Sequence, residues 1–130
     1  MILGIGIDIL EKKRVDSALQ RWGDRFIQKI LTAREMELLQ HKGDFIGSVA
    51  VRFAAKEAVF KALGLGWSKQ VAWHDVEILG PPGEKPRVVL SSRVQELVKG
   101  TRIHVSLSHS MDYAIAMVLI ESEESICDCL

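Results

Sequence analysis

Glu57 sits where a helix would ordinarily bury an apolar side chain, and no other residue constrains the chain more. It falls in Phe53-Ala54-Ala55-Lys56-Glu57-Ala58-Val59-Phe60-Lys61-Ala62-Leu63-Gly64, among Phe53, Ala54 and Phe60. At roughly 100° per residue those three and Ala50 project to either side of it. An ionised carboxylate among apolar groups is costly unless a cation or strong donor meets it. Something cationic is therefore expected from outside the segment. Asp8, in an equally apolar setting, makes that something look like a metal.

Residues 2–9 read as a strand in which Leu3, Ile5, Ile7 and Ile9 alternate with Gly4, Gly6 and Asp8. The aliphatic set is expected in the core. The glycine face is bare backbone ending in a carboxylate, open to another element or a ligand. From Glu11 the period becomes helical, with Val15, Leu19 and Trp22 on one apolar stripe and Arg14, Arg21 and Arg25 on the more polar surface. Gly23 ends or bends that helix. A short helical piece follows at 26–31, and Thr32 with Glu35 forms a capping-box pattern for the next helix. Asp44 caps a long helix that ends near Leu63, before Gly64 and Gly66.

Strands are expected at 75–79 and 87–90, separated by Pro81, Pro82, Gly83 and Pro86. Ser91 or Ser92 starts a short helix closed by Gly100, and strands at 103–108 and 113–120 form a hairpin. Hairpin-joined strands beside a helical block predict one α+β domain over 1–120, a mainly antiparallel sheet packed with a long central helix. Residues 121–130 are expected to be a frayed tail. It holds the only cysteines, Cys127 and Cys129, too close together to close a useful loop. Reduced thiols and a cytoplasmic protein follow. Lys+Arg and Asp+Glu balance at 17 each, so no overall field draws the chain to nucleic acid or a membrane. No apolar run reaches the length of a membrane span.

Three groups of residues carry candidate chemistry. Asp8 and Glu57 are two carboxylates without clustered His or Cys, which suits Mg²⁺ better than zinc. Taken singly, Asp8 also fits a helix cap and Glu57 an i,i+4 pair with Lys61. Arg52, Lys56 and Lys61 spread positive charge round the alanine-rich helix, fitting a metal-bound phosphate or snorkelling bases on a packed helix. In His104-Val105-Ser106-Leu107-Ser108-His109, alternation puts His104, Ser106 and Ser108 on one face, as anion donors or a solvent-facing polar strand.

Three segments, read together, resemble one family. They are Gly6-Ile7-Asp8-Ile9 with Arg14, Arg52-Phe53-Ala54-Ala55-Lys56-Glu57-Ala58 through Lys61-Ala62-Leu63-Gly64, and His104 to His109 with Tyr113-Ala114. Their order and spacing resemble the holo-[acyl-carrier-protein] synthases, the small bacterial 4′-phosphopantetheinyl transferases. The resemblance implies transfer of phosphopantetheine from coenzyme A to a serine of apo-acyl carrier protein, releasing adenosine 3′,5′-bisphosphate, in fatty acid biosynthesis. It implies Asp8 and Glu57 as Mg²⁺ ligands, Lys61 at the pyrophosphate, and Arg52 and His104 at the 3′-phosphate, helped by Ser106 and Ser108. Glu57, or a water it orients, would take the serine proton. Lys56 matches the motif, with structural pairing as one reading. Arg14, Arg21 and Arg25 would meet the acidic carrier protein, and the family assembles as homotrimers with sites between subunits. The rival readings are a non-catalytic module that binds phosphorylated ligands, and a magnesium-dependent phosphohydrolase.

Overall fold

The chain alternates strand, helices and strands in the order the sequence suggests. The computed structural model describes residues 1–40, 43–80 and 84–123, with backbone alone for 65–68. The expected turn at Pro81, Pro82 and Gly83 and the cysteines of the tail lie outside the described residues. Strand β1 (Ile2–Glu11) leads into α1 (Lys12–Trp22), α2 (Asp24–Ile30), α3 (Ala33–Leu39) and the long α4 (Phe45–Ser68). A short 3₁₀ turn, Trp73–Asp75, precedes β2 (Val76–Leu79) and β3 (Arg87–Leu90). Helix α5 (Ser92–Leu97) and the hairpin β4 (Thr101–His109) and β5 (Tyr113–Ser122) complete it. No helix among the described residues is long and apolar enough to cross a membrane.

The strands form two antiparallel sheets, β1-β5-β4 and β2-β3. In the larger one Asp8 pairs with Ala116, and Ala116 with Leu107. Helix α4 lies across its inner face. Ala54, Ala55, Ala58 and Val59 from the helix and Ala114, Ala116, Val118 and Ile120 from β5 are buried there. Small side chains on both partners let helix and sheet approach closely.

The caps act largely as the sequence predicts. Thr32 and Glu35 exchange both capping-box bonds, and Asp44 accepts from the Gly47 N–H at 2.9 Å. Ser91, rather than Ser92, caps α5. The non-helical Gly64, at φ 77° and ψ 177°, breaks α4. Three expectations need correction. Strand β1 uses the opposite face: Ile5, Ile7 and Ile9 are 60%, 61% and 61% exposed, whereas Gly6 is buried. The glycines are the core face because α4 backbone fills the space a side chain would need. A Cβ on Gly4 or Gly6 would lie 2.0 Å from the carbonyl oxygen of Ala62 or Ala58. Trp22 does not share the burial of Val15, because α1 stops there; it is 55% exposed. The strand also outlasts the expected domain limit, since Glu121 and Ser122 belong to β5.

Candidate active site

Where β1 meets α4, a strand carboxylate, a helix carboxylate and a helix ammonium come together. Asp8 ends the glycine face of β1, and Glu57 and Lys61 sit one turn apart on α4. The Lys61 Nζ donates to Asp8 Oδ1 and to the Ile7 carbonyl, each at 3.0 Å. Lys61 therefore pairs with Asp8 instead of simply stapling its own helix to Glu57. Asp8 also caps no helix here, since α1 begins after Glu11 without a side-chain cap. An ammonium has three hydrogens, so one remains for a ligand on its solvent side.

Glu57 is half-buried. Burial raises its carboxyl above the ordinary carboxylate range, the Asp8 charge raises it further, and Lys61 partly offsets both. The two acids thus feel one another directly. Among the described residues, no three His, Cys, Asp or Glu side chains gather into a metal-holding group. The protein's contribution here is two carboxylates. An oxygen-only pair suits a hard dication that completes its shell with phosphate and water.

Arg52 lies one turn and more before Glu57 in the wall of a cleft of about 700 Å³. Its guanidinium is buried, Nη1 donates to the Ser48 carbonyl at 3.3 Å, and Nε has no partner among the described residues. Burial lowers its pKa, with the Glu35 charge pulling the other way. A buried donor without an acceptor is costly, which makes this wall receptive to an anion. Ser48, Ile78, Pro86, Ile103 and Val105 also line the cleft.

Lys56 faces elsewhere. Its Nζ is buried and donates to Glu35 Oε1 at 2.6 Å, to the Ile30 carbonyl at 2.7 Å and to the Trp73 carbonyl at 3.1 Å. All three hydrogens are used, so Lys56 offers nothing to a phosphate. Glu35 in turn accepts from the N–H groups of Thr32 and Ile78. The pair locks α2, α3, α4 and β2 together behind the site.

His104, Ser106 and Ser108 share an exposed face of β4, as alternation requires. That face is opposite the one carrying Asp8, so a single chain separates them from the two carboxylates. Because β4 is a sheet edge, His104 and Ser106 still border the Arg52 cleft, while Ser108 does not. His104 Nε2 is 2.8 Å from Glu121 Oε1. Arg14, Arg21 and Arg25 are all exposed, with Arg25 on α2 rather than α1. The Arg21 guanidinium lies over the Trp22 ring, 5.1 Å from its centroid.

The chain matches the model of the 4′-phosphopantetheinyl transferase superfamily over residues 4–118. It belongs to that superfamily. A protein of Koribacter versatilis named holo-[acyl-carrier-protein] synthase is 43% identical over 124 residues, 93% of this chain and 99% of that one. A Geobacillus protein of the same name is 44% identical over 126 residues, 93% of this chain and 98% of that one. The solved holo-[acyl-carrier-protein] synthase of Neisseria meningitidis superposes with a TM-score of 0.83 at 31% identity, covering 94% of this chain and all of that one. That of Bacillus anthracis, in complex with CoA (3′,5′-ADP), gives 0.78 at 38% identity, covering 94% and 98%.

For this transferase-superfamily chain, two site residues escaped the sequence reading. Glu35 was visible as a capping residue, but its buried lysine partner lies 21 positions away and the Ile78 N–H on its second oxygen 43 positions away. Glu121 lay beyond the recognised segments, and only its two-residue alternation with Leu119 placed it on a β5 face.

Proposed function

We propose that the chain is a holo-[acyl-carrier-protein] synthase, transferring 4′-phosphopantetheine from coenzyme A to a serine hydroxyl of apo-acyl carrier protein and releasing adenosine 3′,5′-bisphosphate. The observation that carries it is the meeting of Asp8, Glu57 and Lys61 at one strand–helix contact, in a chain whose relatives bear that name. The binding-module alternative is not favoured, because the relatives that match most of the chain are named as synthases. A role in fatty acid biosynthesis and a cytoplasmic setting belong to the same proposal.

In this reading Asp8 and Glu57 would hold Mg²⁺, and the chemistry that ion would supply is polarisation of the attacked phosphorus and relief of charge on the leaving phosphate. Lys61 turns its remaining hydrogen to a pyrophosphate oxygen. Arg52 and His104 are the proposed ligands of the 3′-phosphate, with Ser106 beside them on the cleft and Ser108, outside it, as a further donor around the nucleotide. Glu57 takes the proton from the attacking serine.

Exposed Arg14, Arg21 and Arg25 are the proposed meeting surface for an acidic carrier protein. The proposed homotrimer draws support from the outer face of the large sheet. Leu3, Ile5, Ile7, Ile9, Ile115 and Met117 are exposed there side by side, a patch that monomers rarely leave bare. The same face grades into His104, Ser106 and Ser108, so a second copy on it would lie beside those donors. The number three rests on the family resemblance.

Intact-mass measurement of apo-acyl carrier protein incubated with the chain, coenzyme A and Mg²⁺ tests the activity. The carrier protein should gain one phosphopantetheine group, and excess chelator should prevent it. No gain in mass would remove the proposal, and a gain indifferent to chelator would remove its metal.

A further inference from the structure

We propose that Glu121 is a positioning residue for the coenzyme A site, holding the ring of His104 so that its Nδ1 faces an incoming anionic group. This rests on the reading of His104 as an anion ligand. Glu121 stands on the outer face of β5, directly opposite Arg102 in register and diagonal to His104. It lies past the segment that matches the family model, which ends at 118. Its Oε1 is 2.8 Å from His104 Nε2.

His104, Arg102 and the amino terminus of Met1 flank the carboxylate. The hydrogen bond from His104 holds the carboxyl below its ordinary range, helped by the charges of His104, Arg102 and the amino terminus of Met1. Glu121 is therefore ionised at neutral pH and can only accept, so Nε2 must carry the hydrogen between them. That fixes the tautomer and the ring plane together. The remaining nitrogen, Nδ1, is the one left for a ligand, and it donates to an anionic oxygen when the ring holds its second proton. Without Glu121, an exposed imidazole on an edge strand turns freely about its side-chain bonds. It must then be ordered each time coenzyme A binds.

Steady-state kinetics of Glu121→Ala, Glu121→Gln and His104→Ala, and of Glu121→Ala combined with His104→Ala, test this. Glu121→Ala should raise the KM for coenzyme A about threefold, the scale of an exposed pair, with kcat changed less than twofold. Glu121→Gln retains an acceptor of the same length and should recover most of that loss. In the His104→Ala background, removal of Glu121 should change nothing further. Equal losses in the Ala and Gln variants would show that charge and not ring placement matters, overturning the proposal. So would an unchanged or lowered KM in Glu121→Ala, or additive effects in the double variant. If His104→Ala alone leaves the KM for coenzyme A unchanged, the anion-ligand reading fails, and the positioning role falls with it. A raised KM in His104→Ala beside a silent Glu121→Ala would overturn the positioning role alone.

Discussion

At the scale of single residues, Glu57 and Asp8 compete for the same small region of positive potential. Burial and the Asp8 charge both raise the Glu57 carboxyl above its usual 4.5. In the proposed site protons and a dication would contend for those oxygens, so Mg²⁺ affinity should fall as pH is lowered towards and through that raised value. Calorimetric titration across acid pH checks this; an affinity flat down to pH 4.5 would refute it. The sign for folding follows from the same shift. Ionised Glu57 destabilises the metal-free fold, with the penalty absent below 4.5 and complete above the raised value. Asp8→Asn removes one cause of the shift. It also removes the Lys61 ion pair, so stability of the metal-free chain to urea at neutral pH should change by less than about 1 kcal/mol, while turnover falls by at least about a hundredfold. A variant that loses both stability and turnover would instead mark Asp8 as a structural residue. Behind the site, Lys56→Met should cost about 3–5 kcal/mol in urea melts, because Glu35 would be left charged and buried. Replacing Glu35 by Met as well should recover only part of this, since the Thr32 and Ile78 N–H groups lose their acceptor.

At the scale of elements, period and caps were legible, but the choice of buried face was not. Alternation in β1 marked two faces correctly. Hydrophobicity then pointed the aliphatic one inward, the usual rule for a strand covered on one side. The rule fails here because Gly4 and Gly6 let α4 backbone sit directly against the strand. The isoleucines are left for another surface. Gly6→Ala should therefore destabilise by at least about 1–3 kcal/mol, as overpacking does, with Gly4→Ala similar. A melting curve unmoved by Gly6→Ala would mean that strand and helix separate easily. Trp22 misled for a related reason: its place on the α1 stripe is right, but the helix ends where its packing partners end. The Glu57–Asp8 meeting was readable as a suspicion from two oddly placed acids, and the strand–helix register turned it into geometry.

At the scale of the whole molecule, the α+β class was readable from the order of elements. The division into two sheets was not, because it is decided by long-range packing that no local pattern carries. The Arg52 cleft escaped for the same reason, since α4, β2, the segment at 84–87 and β4 each supply one wall. The exposed aliphatic face of β1 and β5 gives the proposed assembly its test. Ile7→Glu should lower the mass seen by light scattering and abolish turnover together, while far-ultraviolet circular dichroism stays unchanged. A variant that remains assembled and active would place the subunit contact elsewhere. The basic surface of α1 and α2 gives another. Arg21→Glu should raise the KM for carrier protein and flatten its dependence on salt, with the KM for coenzyme A unchanged. Identical salt profiles would move the docking site off these helices.

The contact between two glycines and two helix carbonyls also governs how the chemistry can drift. Where main chain rests on main chain, the spacing of strand from helix, and so of the backbone positions that carry the two acids, is set by backbone contact. Side chains elsewhere can exchange through a lineage without widening or narrowing it. Preference for one ion size over another would then be inherited almost unchanged, while the carrier-facing surface remains free to diversify.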